Sequence, residues 1–471
     1  MTAHATPAAP ASHGEHAAPA AESTPALWHH LTNHQQVDER QLMSVTRGEG
    51  MRVWDQHGRE YLDATSGGVW CVNVGYGRAE IADAVREQLL TLCYFAQSYA
   101  SEPARALSAR LLEKMPGLSR VYFANSGSEA NEKAFKMVRQ IAHKRHGGRK
   151  KYKILYRERD YHGSTLGCLS ATGQEQRRDQ YGPFVPDFVA VPHCLEYRSQ
   201  WGDVANYGER AAAAIEAVIL REGPDTVGAL CLEPVTAGGG VIPAPAGYWP
   251  AVQDLCRSYD ILLHIDEVVC GLGRTGAWFG YQHYGIEPDF VSLAKGLASG
   301  YAAISALVTS ERVFDAVHED SGDAQMDYFR DISTFGGCTG GLVAALTNLE
   351  IIEREGLVEN AARRGEQLMG RLRELQARHP VIGEVRGKGL FIGAELVADR
   401  ASKRPVREGY AGAVAAHCLK NGVMIGRTNR SFAEFNNTLC LSPALIIGDA
   451  EIERIVGAID DALAAVDPAL M

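Results

Sequence analysis

The chain has 471 residues and a formal net charge of −10, with 46% hydrophobic and 22% charged residues. This composition is typical of a soluble globular protein, and the length predicts two domains or one large α/β unit. The acidic balance disfavours a nucleic-acid-binding surface, and no stretch approaches the roughly 18 consecutive apolar residues of a membrane span.

The first 26 residues are a low-complexity stretch of Ala, Pro, Ser and His, which predicts a disordered tail. They contain no Lys or Arg and no apolar core, so neither a signal peptide nor a transit peptide is expected. The 10 cysteines are scattered without a C-x-x-C pair, so no metal site is predicted. Reduced, mostly buried thiols favour the cytoplasm.

Ordered structure is expected from about residue 27. Residues 52–62 alternate apolar and polar positions around Gly58, which predicts a β-hairpin. Residues 66–77 form a loop rich in glycine and aromatic residues, and such an apolar loop typically lines a pocket or an interface. Residues 81–92 have the apolar spacing of a helix.

Residues 121–124 are predicted to form a short strand that leads into a helix. Ser126 and Glu129 have the spacing of a capping box, so the segment could simply be a well-capped helix start. Small residues at the same place would also let a phosphate reach free N–H groups. The local pattern leaves both interpretations open.

Four further strands, at 153–156, 227–232, 261–265 and 289–293, are each followed by polar residues. The repeated order of strand, polar strand end and helix predicts a mostly parallel sheet with functional groups along one edge. Asp266 ends one strand and Lys295 follows the next, which suits a carbonyl cofactor that forms a Schiff base. An acid at a strand end can also be a helix cap, and a lysine in a loop is commonly a solvated charge.

The glycines of 271–276, GLGRTG, match the dinucleotide-binding fingerprint. That fingerprint requires a helix that opens at the glycines. The following residues are aromatic and glycine-rich without helical periodicity, so these glycines are predicted to form a loop and no nicotinamide site.

Residues 331–337 form a second Ser/Thr/Gly loop. Beyond it, 342–375 is helical with a break near Gly356, 383–396 is strand-like, and 449–463 is an amphipathic helix. This part is predicted to form a second domain together with the N-terminal hairpin.

Several motifs in order, GGVWCVNVGYGR, NSGSEANEKAFKMVRQ, YHGSTLG, LEPV, DEVVCGLGRTG, LAKGLASGY and STFGG, resemble those of the class III (ω-amino acid) aminotransferases. The resemblance covers the chain from about 27 to the C-terminus. One departure is Cys338-Thr339, where many members have His or Asn followed by Pro. The resemblance implies the type I fold of pyridoxal 5'-phosphate enzymes, an α/β large domain with a mostly parallel sheet and a smaller α+β domain built from both chain ends.

The implied division is a tail at 1–26, an N-terminal segment of the small domain at 27–75, a large cofactor-binding domain at 76–340 and a C-terminal small domain at 341–471. The implied activity moves an amino group from an ω-amino acid or amine, with taurine favoured, to pyruvate by a ping-pong mechanism. The implied partners are these small molecules and a second copy of the chain, as a homodimer or a dimer of dimers.

The resemblance also implies roles for single residues. Lys295 would carry the cofactor, Asp266 would pair with its pyridine nitrogen, and Val268 and Tyr161 would pack on opposite ring faces. The other implied cofactor contacts are His162, Glu233, Gly127, Ser128 and, from the neighbouring subunit, Thr334. Trp70 would line the substrate pocket, and Arg427, or failing it Arg430, would bind the acidic group of the substrate.

Three alternatives are weighed against this activity. The nearest is a β-alanine–pyruvate or amine–pyruvate aminotransferase, since taurine and β-alanine both place an amine two carbons from an anion. An aminomutase or racemase would use the same fold without a second substrate. A binding protein on a degenerate enzyme fold is disfavoured because the full set of implied cofactor residues is present.

Overall fold

The computed structural model describes residues 26–35, 42–429 and 436–471. All but the last residue of the predicted tail at 1–26 lies outside the described residues, as does Arg430. None of the described helices combines the length and the apolar character needed to cross a membrane.

The strands alternate with helices through the middle of the chain. The strands are β1 (Val45–Glu49), β2 (Arg52–Asp55), β3 (Glu60–Asp63), β4 (Arg120–Ala124), β5 (Lys153–Arg157), β6 (Phe188–Val191), β7 (Val227–Leu232), β8 (Val235–Thr236), β9 (Ile242–Pro243), β10 (Leu262–Asp266), β11 (Phe290–Leu293), β12 (Ser305–Thr309), β13 (Ile382–Lys388), β14 (Phe391–Asp399), β15 (Arg404–Pro405), β16 (Val423–Met424), β17 (Gly426–Thr428) and β18 (Thr438–Leu441). The helices are α1 (Ala79–Thr91), α2 (Glu102–Glu113), α3 (Gly127–His146), α4 (Leu166–Ser170), α5 (Glu175–Arg178), α6 (Tyr207–Glu222), α7 (Tyr248–Ser258), α8 (Glu311–His318), α9 (Thr339–Arg354), α10 (Leu357–Arg378), α11 (Glu408–Lys420) and α12 (Asp449–Ala465).

The largest sheet has seven strands in the order β4-β12-β11-β10-β7-β5-β6. Its central pairs β5/β7, β7/β10 and β10/β11 are parallel, whereas β12 is antiparallel to both of its neighbours. β7 and β11 are buried along their whole length because helices cover both faces of the sheet. The prediction of a mostly parallel α/β sheet is therefore confirmed.

The two chain ends meet in a second sheet of order β1-β2-β3-β16. The predicted hairpin is β2 and β3, and Gly58 in its turn has a φ of +75°. β3 then pairs in parallel with β16, where Leu62 lies opposite Val423. A third, antiparallel sheet of order β13-β14-β18-β17 follows, so the N-terminal hairpin is joined to the C-terminal part.

Helix boundaries also follow the sequence. The predicted break lies between α9 and α10, where Gly356 adopts the left-handed region at φ +59°. A side chain there would be strained, which explains why glycine ends one helix and starts the next. The GLGRTG segment forms a loop with no helix opening at its glycines, so the prediction of a loop is confirmed.

Candidate active site

A cavity of about 480 Å³ opens at the carboxyl edge of the large sheet. Eight of the predicted site residues line it: Gly127, Ser128, Tyr161, His162, Glu233, Asp266, Val268 and Lys295. They come from the ends of β11, β10, β7 and β5, which lie side by side in the sheet, and of β4, which is separated from β11 by β12. The parallel order brings together side chains that are far apart in sequence.

Asp266 is the buried acid at the end of β10. Its Oδ2 accepts a hydrogen bond from Asn131 Nδ2 at 2.8 Å and lies 2.8 Å from His162 Nδ1, while its Oδ1 accepts from the N–H of Val268 at 3.0 Å. Burial alone would raise the pKa of Asp266, but the hydrogen bond and charge of His162, with the Val268 N–H, hold the pKa below its usual value. The group is therefore a carboxylate at neutral pH.

Asn131 was not predicted as a site residue. Its Nδ2 donates to both Asp266 Oδ2 and the His162 carbonyl, at 2.8 Å and 2.7 Å, and thereby fixes the two residues relative to each other. The signal that could have found it is its helical position. It lies four residues after Gly127 and so on the same face of α3.

Lys295 follows β11 immediately after Ala294. Parallel pairing puts Asp266 opposite Ser292, so the acid and the lysine lie at the ends of adjacent strands. Lys295 itself has a φ of +46°, a conformation that costs a non-glycine residue about 1 kcal/mol. Its Nζ lies 5.9 Å from the ring centroid of Trp70, and Lys295 lines the cavity.

The start of α3 forms the far side of the cavity. The hydroxyl of Ser126 accepts from the Glu129 N–H at 3.2 Å, and the Glu129 carboxylate accepts from the Asn125 N–H at 2.6 Å. Ser126 therefore caps the helix as predicted, whereas the Glu129 carboxylate binds the residue before the N-cap and does not complete the capping box. Gly127 and Ser128, whose N–H groups are among the first of the helix, line the cavity. The structural and the phosphate-binding interpretations are compatible.

Glu233 and Tyr161 form a third side. The Oε1 of Glu233 accepts from the Tyr161 N–H at 2.8 Å, and its Oε2 accepts from the Ala237 N–H at 3.0 Å. Burial, together with the negative charges of Asp160 and Asp266, raises the pKa of Glu233 well above its usual value. Glu233 therefore orients the Tyr161 loop through backbone contacts.

The buried guanidinium of Arg157 supports this loop from behind. It pairs with Asp160 Oδ1 at 3.0 Å and donates to the Glu233 carbonyl at 2.7 Å. The same aspartate accepts from the Glu233 N–H at 3.0 Å. The loop after β5 and the end of β7 are thus held as one rigid unit.

Trp70 ends an irregular turn at Ser66–Trp70 and has a φ of +65°. Asp63 anchors this turn by accepting from the N–H groups of Thr65 and Gly67, each at 2.7 Å. The indole packs edge-on against Phe391, with ring centroids 5.6 Å apart. The neighbouring Cys71 lines the cavity, so the predicted apolar loop forms part of the pocket wall.

Three predicted residues are not part of the lining of this cavity: Trp70, whose neighbour Cys71 is, and Thr334 and Arg427. Thr334 is exposed at the start of a short 3₁₀ turn, Thr334–Gly337. Arg427 lies in β17, and its guanidinium rests against α11 rather than against the cavity residues. Arg430, the alternative to Arg427, is outside the described residues.

Glu267, the neighbour of Asp266, has a different task. Its carboxylate accepts from the N–H groups of Gly280 and Tyr281 at 2.9 Å and 2.7 Å. Burial raises the pKa of Glu267 to about 8, although these N–H groups oppose the shift. Glu267 holds the loop after β10 in place.

A larger cleft of about 790 Å³ lies at the amino ends of β10 and β11. Its charged groups are already paired, Arg257 with Glu287 at 2.8 Å and Arg312 with Asp289 at 3.5 Å. The candidate catalytic residues therefore lie at the opposite edge of the sheet, around Lys295.

The cavity residues fit pyridoxal phosphate. An anionic carboxylate, Asp266, is buried where it can pair with a protonated pyridine nitrogen, and an amine follows on the next strand. A Cβ added to Gly127 would approach Val268 Cγ2 to 2.8 Å, so the absence of a side chain at 127 lets Val268 lie close to the start of α3. The volume lies within the usual range of about 300–1,000 Å³ for small-molecule sites.

Comparisons with known proteins agree with this site. The family model described as aminotransferase class-III matches residues 34–463. The hypotaurine/taurine–pyruvate aminotransferase of Paracoccus denitrificans is 64% identical over 93% of this chain and 95% of its own length. The taurine–pyruvate aminotransferase of Bilophila wadsworthia is 56% identical over 94% and 96%.

Solved structures give the same answer. A Bacillus anthracis aminotransferase superposes with a TM-score of 0.88 at 38% identity, covering 94% of this chain and 96% of its own. An ω-transaminase from Pseudomonas jessenii, solved in complex with PMP, gives 0.87 at 33% identity over 94% and 98%. With the family model and these relatives matched over nearly the whole chain, the protein belongs to the class III aminotransferases, which depend on pyridoxal phosphate.

Proposed function

We propose that this aminotransferase moves the amino group of taurine to pyruvate, giving sulfoacetaldehyde and L-alanine in two half-reactions at one site. The proposal depends on one observation: Asp266 and Lys295 lie at the ends of adjacent strands and line the same cavity. The high identity to two relatives named for taurine and pyruvate supports the choice of substrates. β-Alanine is the alternative donor, because its amine and anion have the same separation.

When bound, pyridoxal phosphate supplies an electron sink for the carbon that loses its proton. The carboxylate of Asp266 stabilises positive charge at the pyridine nitrogen, and its low pKa keeps it ionised. Lys295 Nζ would remove the proton from the substrate carbon that bears the amine and would hold it while the amino group is transferred. A base placed in this way typically contributes about 10²–10⁴-fold to the rate.

The remaining residues position the reactants. Gly127 and Ser128 present helix N-terminal amides to the cofactor phosphate, and Tyr161 and Val268 enclose the ring between them. His162 orients the Asp266 carboxylate through its contact at 2.8 Å. Trp70 forms an apolar wall with Phe391, which keeps water away from the substrate.

Arg427 is proposed to bind the sulfonate of taurine and the carboxylate of pyruvate. A guanidinium has fixed, forked donors that suit an oxyanion. Its strand is tied to the segment that follows Glu233, because Thr428 Oγ1 donates to the carbonyl of Gly238 at 2.5 Å. Arg427 itself is held by Glu408.

For Arg427→Ala we expect a selective loss of kcat/KM for taurine and β-alanine. Removing a paired cation costs a bound anion about 2–5 kcal/mol, and the lower end, roughly thirtyfold, applies to a partly exposed group. A neutral aralkyl amine should lose little. The measurement is kcat/KM for all three donors in the wild type, Arg427→Ala and Arg430→Ala.

Equal losses for charged and neutral donors would mean that Arg427 supports its loop instead of binding the anion. A selective loss confined to Arg430→Ala would transfer the role to that residue. If the enzyme turns over repeatedly with the amine substrate alone, and the aminated cofactor does not accumulate when pyruvate is absent, the enzyme is an aminomutase.

We also propose that the chain acts as a homodimer. Six large apolar side chains are exposed on two adjoining segments, Leu89, Leu90, Leu92, Phe95, Ile332 and Phe335, and are called the apolar face here. The segments are joined by the Phe95 N–H, which donates to the Gly337 carbonyl at 3.3 Å. Such a patch favours burial against a second copy, and Thr334 lies between two of its residues, Ile332 and Phe335, in sequence.

Thr334→Ala should weaken cofactor retention. In the proposed dimer Thr334 reaches the phosphate bound by the partner, and a charge-assisted hydrogen bond is worth about 1.5–3 kcal/mol, or ten- to a hundredfold in affinity. The measurement is the dissociation constant of the cofactor after dialysis. Ser108→Ala is the control, since that hydroxyl donates only to its own helix, at the Ala104 carbonyl. A fully active monomer at low concentration would refute the shared site.

The domain division is proposed as 76–340 for the large domain, with 27–75 and 341–471 forming the small one. The parallel pairing of β3 with β16 supports the joining of the two chain ends. A cytoplasmic location is proposed because all ten cysteines are free thiols and most are buried.

A further inference from the structure

Glu408 is the first residue of α11, and nothing in the reaction described above uses it. Its Oε1 accepts a hydrogen bond from Asn436 Nδ2 at 2.9 Å. The same Oε1 lies 3.9 Å from Arg427 Nη1, and the Glu408 carbonyl oxygen accepts from that nitrogen at 3.4 Å. Both contacts hold the guanidinium against the helix.

The guanidinium of Arg427 packs closely against α11. A Cβ added to Gly412 would come within 3.2 Å of Arg427 Nη1, so the absence of a side chain at 412 lets the arginine lie close to the helix. Within the residues that the structure describes, Glu408 is the carboxylate that forms an ion pair with Arg427. Both side chains keep contact with water, with 31% of Arg427 and 45% of Glu408 exposed.

We propose that Glu408 sets anion specificity by competing with the substrate for Arg427. An incoming sulfonate or carboxylate must displace the Glu408 carboxylate from the guanidinium before Arg427 can bind it. Glu408 therefore weakens the binding of every anionic substrate while leaving neutral donors unaffected. This inference rests on the proposed role of Arg427.

The sign of the effect separates this role from a structural one. If Glu408 only supported Arg427, its loss would raise KM for anionic substrates. If it competes, its loss lowers KM. A partly exposed ion pair of this kind is worth at most about 1 kcal/mol, so the expected change is about two- to fivefold.

The test variant is Glu408→Gln, because the amide oxygen can still accept from Asn436 while the charge is removed. Glu311→Gln is the matched control. Glu311 is also the first residue of a helix, α8, and is paired with an arginine, Arg120, at 2.9 Å. It follows β12 at the opposite edge of the sheet from Lys295.

We expect Glu408→Gln to lower KM for taurine and for pyruvate about two- to fivefold. The value of kcat, and KM for the neutral amine, should not change. The inhibition constant of ethanesulfonate, which carries the anion but no amine, should fall by the same factor. Glu311→Gln should change none of these values. A raised KM, or an unchanged inhibition constant for ethanesulfonate, would overturn the proposal.

The double variant Glu408→Gln/Arg427→Ala separates this proposal from the one on which it rests. If Arg427 binds the anion, Arg427→Ala alone loses the charged donors, and adding Glu408→Gln then has no further effect. If Arg427→Ala affects all donors equally, the role of Arg427 fails first. If Arg427→Ala is selective but Glu408→Gln does not tighten binding, only the inference about Glu408 fails.

Discussion

Replacement of Lys295 by alanine is expected to remove nearly all turnover and the absorbance that arises from covalent attachment of the cofactor. Lys295 is both the proposed attachment point and the proton carrier, and loss of the second role alone costs about 10²–10⁴-fold. The backbone strain at φ +46° is unchanged, because lysine and alanine both carry a Cβ. Circular dichroism should therefore show an intact fold.

The measurement is kcat with saturating taurine and pyruvate, beside an absorbance spectrum of the purified protein. Lys150→Ala serves as the control, since that lysine forms an exposed ion pair with Asp225 at 2.9 Å. Partial rescue of Lys295→Ala by an added small amine would support proton transfer by Nζ. Turnover within about tenfold of the wild type would refute the assignment of Lys295.

The sequence was sufficient to predict the strand ends that carry the site. The apolar runs before Glu233, Asp266 and Lys295 are short and rich in branched residues, and each is a strand buried in the large sheet. Local pattern is informative here because a strand covered by helices on both faces must be apolar along its length. The order of these strands in the sheet could not be predicted from the local pattern, because the pairing of β7 with β10 depends on the packing of the whole sheet.

Asn131 shows what local pattern cannot supply. Its amide bridges Asp266 and the His162 carbonyl, which lie 135 and 31 positions away in sequence. Within α3 alone it is one polar residue after the N-cap. Only the meeting of β5, β10 and α3 gives it a role. The antiparallel direction of β12 could not be predicted either, because an apolar strand of five residues carries no signal of its direction in the sheet.

Arg427 illustrates a further limit. The resemblance pointed to this arginine, but the guanidinium has a partner, Glu408, 19 positions earlier on another element. A charge pair across two elements leaves no spacing pattern in the sequence. The structure therefore adds a competing carboxylate to a residue that the sequence treated as an unpaired cation.

The second large effect is expected for Asp266→Asn, which keeps the shape of the side chain and removes its charge. The amide cannot balance a protonated pyridine nitrogen, so the cofactor becomes a weaker electron sink. Loss of one preorganised electrostatic group in an active site costs about 10²–10³ in kcat. The new NH₂ group would also face the Nδ2 of Asn131 or the ring of His162, both within 2.8 Å of the present Oδ2.

Asp289→Asn is the matched control, because Asp289 is a buried aspartate just before β11, at the opposite edge of the same sheet. The measurements are kcat, and the pH at which the absorbance of the bound cofactor changes. For Asp266→Asn that pH should move downward, since the protonated nitrogen loses its counter-charge. Asp289→Asn should leave it in place. If kcat falls but the pH of the absorbance change is the same in wild type and Asp266→Asn, the carboxylate acts on the architecture of the site and does not pair with the cofactor ring.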